Sequence, residues 1–321
     1  MSRSPLVGRL ALLAGLALPA LACGSPPATV ATIDGIEIER ARFESLHPDG
    51  YELVPDETAS SLLLLLIHDL FIANAQAELG ITLDEAATSV AFAARTRSAE
   101  AIGPLDEVLA NRGVTPARVQ LEANLDVLRE LVGPELVRRE APGFDIDTAF
   151  DQYLLDEAYV CVQQIELLDT GDLELIIDRA NSGDSFADLA REFSTDSLAH
   201  RPDGESGAGG DMGCSYPNSF GLGLADAALD TRIPVGEAFG PVVSAAALHV
   251  MVVYDRVIPE LDDVRADVLR AAEASQGPDL FSIWAVDLLH RAEVTIDDGY
   301  GSWGPREGTD GIPTVIPVGA D

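Results

Sequence analysis

The 321-residue sequence contains no lysine; all 20 of its basic residues are arginine, set against 54 aspartates and glutamates for a formal net charge of −34. A chain so short of positive charge repels phosphate backbones, and no basic stripe is present along which counterion release would drive binding, so nucleic acid is excluded as a partner. Cysteine is nearly absent, with three residues, which rules out a disulfide-dense scaffold. Aromatic residues make up only 6%, too few for a sugar-stacking groove, and no acid/base pair of carboxylates stands out, which argues against a glycosidase despite the many acidic residues. The five histidines, His47, His68, His200, His249 and His290, are scattered without ligand spacing, so no metal site and no cofactor is expected. What is present is ordinary for a globular protein: 47% hydrophobic and 23% charged residues over a length that fits about two domains.

The first residues read as an export signal. Arg3 and Arg9 supply a positive start, Leu10 to Leu18 an apolar run too short to span a bilayer, and Ala20-Leu21-Ala22 a small-residue cleavage site, so residues 1–22 are set apart from the fold. The cysteine that follows, Cys23, resembles the lipidated first residue of bacterial lipoproteins, although the lipobox family prefers leucine where Ala20 stands. Gly24 after it, in place of a retention aspartate, points by the same resemblance to the outer membrane. Cys161 and Cys214 then remain, either as a disulfide permitted by an oxidising compartment or as two small buried hydrophobes.

Beyond a tether over residues 23–32, Val30 to Ile38 reads as two short strands around an Asp34-Gly35 turn. Helices are expected from Pro55 to Gly80, Asp84 to Arg95, Leu105 to Asn111 and Pro116 to Val132. The apolar run Leu62 to Ile67 is interrupted by His68 and Asp69 and so reads as a core helix. Near Ala141-Pro142-Gly143 the pattern changes. Tyr159 to Leu167 reads as a strand, and Leu173 to Ala180 and Ser185 to Phe193 as helices. A glycine-rich loop runs from Gly204 to Gly213, with a short helix at Leu224 to Leu229 after it. Two strands follow at Pro241 to Ser244 and Leu248 to Tyr254, then helices at Leu261 to Ala272 and Pro278 to Arg291, Val294-Thr295-Ile296, and a Gly/Pro-rich end.

Five ordered pieces between Val160 and Val257 carry a resemblance: Gly183-Asp184-Ser185-Phe186-Ala187-Asp188-Leu189-Ala190, Phe193-Ser194-Thr195-Asp196, Gly209-Gly210-Asp211-Met212-Gly213, Gly236-Glu237-Ala238-Phe239-Gly240-Pro241-Val242 and Leu248-His249-Val250-Met251-Val252. Together they resemble a parvulin-type peptidyl-prolyl cis/trans isomerase domain, and the flanking helices resemble the split chaperone domain of SurA-like and PrsA-like extracytoplasmic foldases. The resemblance implies an α+β fold. Residues 33–142 would form an N-terminal helical chaperone domain, 143–257 a parvulin insert with a four-stranded antiparallel sheet, 258–298 the C-terminal helices that complete the chaperone domain, and 299–321 a flexible tail. It implies a lipid-anchored isomerase and foldase in the cell envelope, acting on unfolded or proline-containing exported polypeptides. The alternative is an inactive parvulin-fold holdase.

Carried over residue by residue, the resemblance places Met212, Phe220 and Leu224 in a proline pocket and Asp196 and His249 on its polar floor. Two departures accompany them. Gln164 stands where relatives begin their first strand with histidine, and an amide cannot exchange tautomers as imidazole does. The position of a hydroxyl partner to His249 falls on Ala246. His200, in extra loop length after Asp196, is a candidate replacement for the missing histidine.

Overall fold

The computed structural model describes residues 28–320 except Leu222 and Ala246. The export signal, Cys23 and most of the tether lie outside the described residues, as does the Ala246 position. Two units are built from the remainder, one helical and one centred on a sheet.

The helical unit begins with β1 (Thr29–Ile33) and β2 (Ile36–Glu39), paired antiparallel around Asp34 and Gly35. Both turn residues have positive φ, 48° and 81°, the geometry that Asp-Gly accepts and that matches strand twist. After the single turn α1 (Arg40–Glu44) comes α2 (Pro55–Asn74), where Pro55 occupies the first helical position and Glu57 reaches back to the Val54 N–H. By composition α2 and its continuation are long and apolar enough to cross a membrane. Leu62, Leu65, Leu66 and Leu70 are instead at most 1% exposed inside a protein core. A π turn at Ala75–Leu79 extends the helix to Gly80, whose φ of +71° ends it.

Helices α3 (Glu85–Glu100), α4 (Leu105–Ala110) and α5 (Pro116–Arg138) follow. Asp84 and Thr115 accept backbone N–H bonds at the starts of α3 and α5. The sequence places the end of α5 at Val132, before Gly133-Pro134, yet the helix runs on to Arg138. Tertiary packing overrides the break: Gly133 lies against Gly277, and a Cβ on Gly133 would sit 2.6 Å from the Gly277 carbonyl oxygen. Gly277 opens a later helix, so the two backbones cross at touching distance and bury Val132, Leu136 and Leu280 around the crossing.

Helix α6 (Ile146–Glu157) precedes the sheet, and its Ala149, Phe150 and Tyr153 pack on the helical core. The stretch after residue 143, expected to belong to the insert, thus packs part of its apolar surface on the helical core. The sheet unit holds β3 (Tyr159–Leu167), α7 (Leu173–Asn181), α8 (Phe186–Phe193), β4 (Asp211–Ser215), α9 (Leu224–Leu229), β5 (Ala238–Val243) and β6 (Leu248–Val257). Its four strands are antiparallel in the order β4-β3-β6-β5. One face buries Ile165, Leu167, Val250 and Val252 under α7 and α8; the other buries Val160, Val162, Met251 and Val253 under α9.

The chain then returns to the helical unit through α10 (Leu261–Ser275), α11 (Gly277–Arg291) and β7 (Val294–Ile296). β7 pairs with β1, so strands almost the whole chain apart close one three-stranded sheet. A flexible tail is expected from residue 299; instead β8 (Ser302–Pro305) and β9 (Pro313–Ile316) form a hairpin. Val315 is 4% exposed and Trp303 and Ile312 pack on the same core, while Tyr300 stands edge-on to Phe43 with centroids 5.2 Å apart. Burial of these side chains offsets the chain entropy that the Gly/Pro content would otherwise retain.

Candidate functional site

In β3 and β6, Gln164 lies opposite Met251 and Glu166 opposite His249. Side chains alternate along a strand, so Gln164, Glu166, His249 and Met251 share one face, the face beneath α9. Gln164 and His249 are diagonal neighbours there, within reach of long side chains.

The proline-pocket candidates meet on this face. Met212 of β4, Phe220 of a short 3₁₀ turn (Pro217–Phe220) and Leu224 at the start of α9 pack in one cluster with Met251, Val162 and Phe239. Phe220 and Leu224 are 8% and 5% exposed, so they serve as core and lining together. Beside the cluster a cavity of about 920 Å³ opens between α6 and α9; Phe239 and Val242, members of the cluster, form part of its wall, with Asp151, Asp226 and Asp230 on its acidic side.

The glycine-rich motif has a steric cause. Gly210 has φ +76°, and a Cβ there would lie 2.1 Å from the Gln164 carbonyl oxygen. Only glycine lets the loop pass this close to β3 and deliver Asp211 and Met212 into β4. Across the strand pair, Cys161 and Cys214 are direct partners of β3 and β4 and are joined as a disulfide.

The polar floor is assembled by the Phe193-Ser194-Thr195-Asp196 segment. Ser194 Oγ accepts the N–H groups of Glu166 and Asp196, each at 3.2 Å, and Thr195 donates its N–H to the Glu166 carbonyl at 2.9 Å. These bonds tie Asp196 to the strand position opposite His249. Asp196 itself caps the following 3₁₀ turn, accepting the Leu198 N–H at 2.9 Å. His249 is 3% exposed. Burial holds its imidazole below the ordinary histidine value, opposed by the negative charges of Glu166 and Asp196.

His200 takes no place beside His249 in the hydrogen-bond pattern: its Nε2 bonds the Ser194 carbonyl oxygen at 3.1 Å from an exposed position. The hydroxyl partner comes from a residue the sequence comparison passes over. Ser244 Oγ lies 2.9 Å from His249 Nε2, because the turn between β5 and β6 folds Ser244 back over Ala247, with the Ser244 N–H donating to the Ala247 carbonyl at 3.0 Å. A serine five residues ahead of the histidine, at the end of the preceding strand, is the signal that would have located it. Two buried polar atoms of this face have no hydrogen-bond partner, Gln164 Oε1 and His249 Nδ1.

The arrangement suits a reaction without covalent chemistry: an apolar cluster to hold a ring, and buried polar atoms with the carboxylates of Glu166 and Asp196 nearby to redistribute charge around an amide.

Comparison with known proteins gives similar chains and a similar fold. No protein-family model matches the chain. The protein named foldase PrsA of Halalkalibacterium halodurans is 26% identical over 325 aligned positions, covering 96% of this chain and 89% of that protein. The crystal structure of a peptidylprolyl isomerase (PrsA) from Bacillus cereus superposes with a TM-score of 0.51 at 17% identity, covering 83% of this chain and 93% of that one. The chain is thus similar to proteins named PrsA, and its fold is the α+β arrangement of a helical unit with an inserted four-stranded antiparallel sheet.

Proposed function

We propose that the chain is an extracytoplasmic foldase that binds unfolded exported polypeptides and catalyses cis/trans isomerisation of their X-Pro bonds. The observation that carries this reading is the gathering of Met212, Phe220 and Leu224 in one cluster on the sheet face that also carries His249 and Gln164, with Asp196 close enough for its charge to act on the His249 imidazole. An X-Pro amide faces a rotation barrier of about 18–20 kcal/mol because resonance is lost in the twisted state. The apolar cluster grips the proline ring, and the polar floor stabilises the charge that localises on the carbonyl oxygen and nitrogen as the amide twists. The names of the Halalkalibacterium halodurans and Bacillus cereus proteins, a foldase and a peptidylprolyl isomerase, support the same activity.

The mature protein begins at Cys23 and is held by lipid on the cell envelope, at the periplasmic face of the outer membrane, where its arginine-only, acidic surface keeps it soluble. A second reading has support from Gln164, which replaces an imidazole by an amide: the parvulin fold is kept for binding, and the helical unit holds clients.

The test is the cis-to-trans rate of a short Ala-Pro peptide with the lipid-free mature chain, beside an Asp196→Ala, His249→Gln double variant. Acceleration by the parent chain, reduced at least tenfold in the variant, is expected. No acceleration by either protein overturns the isomerase reading in favour of the holdase. Suppression of client aggregation by a chain lacking residues 158–257 measures that second activity on its own.

A further inference from the structure

The cavity of about 920 Å³ beside the proline cluster is left unused by the isomerase reading, and its walls come from both units. α6 of the helical unit supplies Asp151 and Leu155, α9 and the segment after it supply Asp226, Asp230 and Ile233, and β5 supplies Phe239 and Val242. α6 is fastened to the turn that carries Phe220, because Asn218 Nδ2 donates to Asp156 Oδ1 at 2.6 Å. A polypeptide that leaves the cluster over Phe239 and Val242, which belong to both cluster and cavity, therefore enters this space.

The lining divides by chemistry. Leu155, Ile233 and Phe239 are apolar and half-buried. Of the three carboxylates, Asp230 is already compensated: Arg232 donates Nε to its Oδ1 at 2.8 Å and Nη2 to its Oδ2 at 2.7 Å. Arg256, the other arginine at this wall, donates Nη1 to the Asp230 carbonyl at 2.8 Å. Asp151 and Asp226, one on each side of the cavity, are exposed, and among the described residues no hydrogen bond or ion pair reaches either carboxylate. Two uncompensated carboxylates over an apolar floor are the complement of a lysine or arginine, whose methylene stem covers apolar surface while its charged head keeps polar contacts. The chain supplies no such side chain here, having no lysine and both nearby arginines on Asp230.

We propose that this cavity is a subsite for a basic side chain of the bound polypeptide: a lysine or arginine flanking the proline lays its stem on Leu155, Ile233 and Phe239 and its head between Asp151 and Asp226. The inference rests on the isomerase reading above and narrows it, from any X-Pro bond to X-Pro bonds in basic sequence. Because Asp151 belongs to α6, the helical unit takes part in choosing what the sheet unit isomerises.

The experiment uses the full mature chain without lipid and fluorescently labelled peptides, alanine-rich around one proline, with lysine at successive positions on either side. Each is paired with the same peptide carrying norleucine in place of lysine. Affinity is read by fluorescence polarisation, which needs no turnover, and isomerisation is followed in parallel. At least one lysine peptide is expected to bind about fivefold more tightly than its norleucine partner, and the preference to weaken as salt is added. The preference is expected to shrink in Asp151→Asn and in Asp226→Asn and to vanish when both are combined. It is expected to survive in Glu174→Gln, Asp178→Asn, which removes two charges from α7 on the other face of the sheet. No preference for lysine at any position, or a preference that outlives the Asp151→Asn, Asp226→Asn variant, overturns the proposal. So does a preference lost equally in the α7 variant, because net charge alone is then at work. Equal affinity for the best lysine peptide and for its analogue with alanine in place of proline also overturns it, since the cavity would then serve a separate client site. Absence of isomerisation by the parent overturns the function reading instead, and the affinity ratios still decide the role of the cavity.

Discussion

The buried histidines divide the molecule. In the helical unit, His47 uses both ring nitrogens, on the Gly113 carbonyl at 3.1 Å and on Ser61 Oγ at 2.9 Å. His68 likewise uses both, on Asp69 Oδ1 at 2.8 Å and on Asn124 at 3.1 Å. Asp69 is held in turn by Arg42, whose Nη2 donates to Oδ1 at 2.7 Å, and these contacts together keep its carboxyl below the usual range against the cost of burial. In the sheet unit, His249 leaves one nitrogen open. All four buried side-chain atoms without partners among the described residues, on Gln164, His249 and Arg256, also belong to the sheet unit. A closed polar network fixes one arrangement of a core, whereas open valences facing an apolar cluster are what a site needs before its substrate arrives.

The two units can be separated by measurement because both tryptophans, Trp284 and Trp303, lie in the helical core. Their fluorescence follows that unit, and the proposed isomerase activity or hydrogen exchange follows the sheet. The largest expected effect comes from the disulfide. Cys161 and Cys214 are 53 residues apart, so replacing both with serine releases a loop whose closure is worth about 4 kcal/mol at most. The sheet unit is then expected to unfold at lower urea concentration while the tryptophan transition keeps its midpoint; a shift of both together would show the two units to be one cooperative block.

Next in size is Asp69→Ala, which strips Arg42 and His68 of a shared buried partner and should cost about 2–3 kcal/mol, read as an earlier tryptophan transition with peptide isomerisation unchanged. Loss of isomerisation at equal folded fraction would mean that the helical network reaches the site.

The smallest effect is that of pH, and here the two units should agree. Burial holds both His47 and His249 below the ordinary value of 6.5. The unfolded chain therefore binds these protons first, so their contribution is complete above pH 6.5 and is lost as the pH falls from there through the folded values. Urea midpoints taken between pH 7 and pH 5 should fall with acidification in both transitions, less so in the sheet unit for a His249→Gln variant.

Much of this organisation is legible in the sequence, for local reasons. The Asp34-Gly35 hairpin, the cap at Thr115, the helix at Leu224 to Leu229 and the glycine-rich approach to Asp211 each follow from the conformational freedom of a few residues. The candidate residues Met212, Phe220, Leu224 and His249 were named through motif order, and in the structure Met212, Phe220 and Leu224 pack in one cluster on the sheet face that carries His249. Other features required distant partners. Helix α5 passes through Gly133-Pro134 because Gly277 lies against it, α6 joins the helices because α10 offers an apolar surface, and the last residues form a hairpin because Val315 and Trp303 find the core of α2.

Sequence alone, through composition and local pattern, determined the acidic, lysine-free character of the chain and the order of most of its elements, since these depend on residue type and short-range geometry. Only the tertiary structure decided that Ser244 completes His249, that His200 is engaged elsewhere, and that Gln164 and His249 stand as diagonal neighbours with open valences. Those facts depend on strand register and on how a turn folds back, and register is set by contacts between residues about eighty positions apart in the chain.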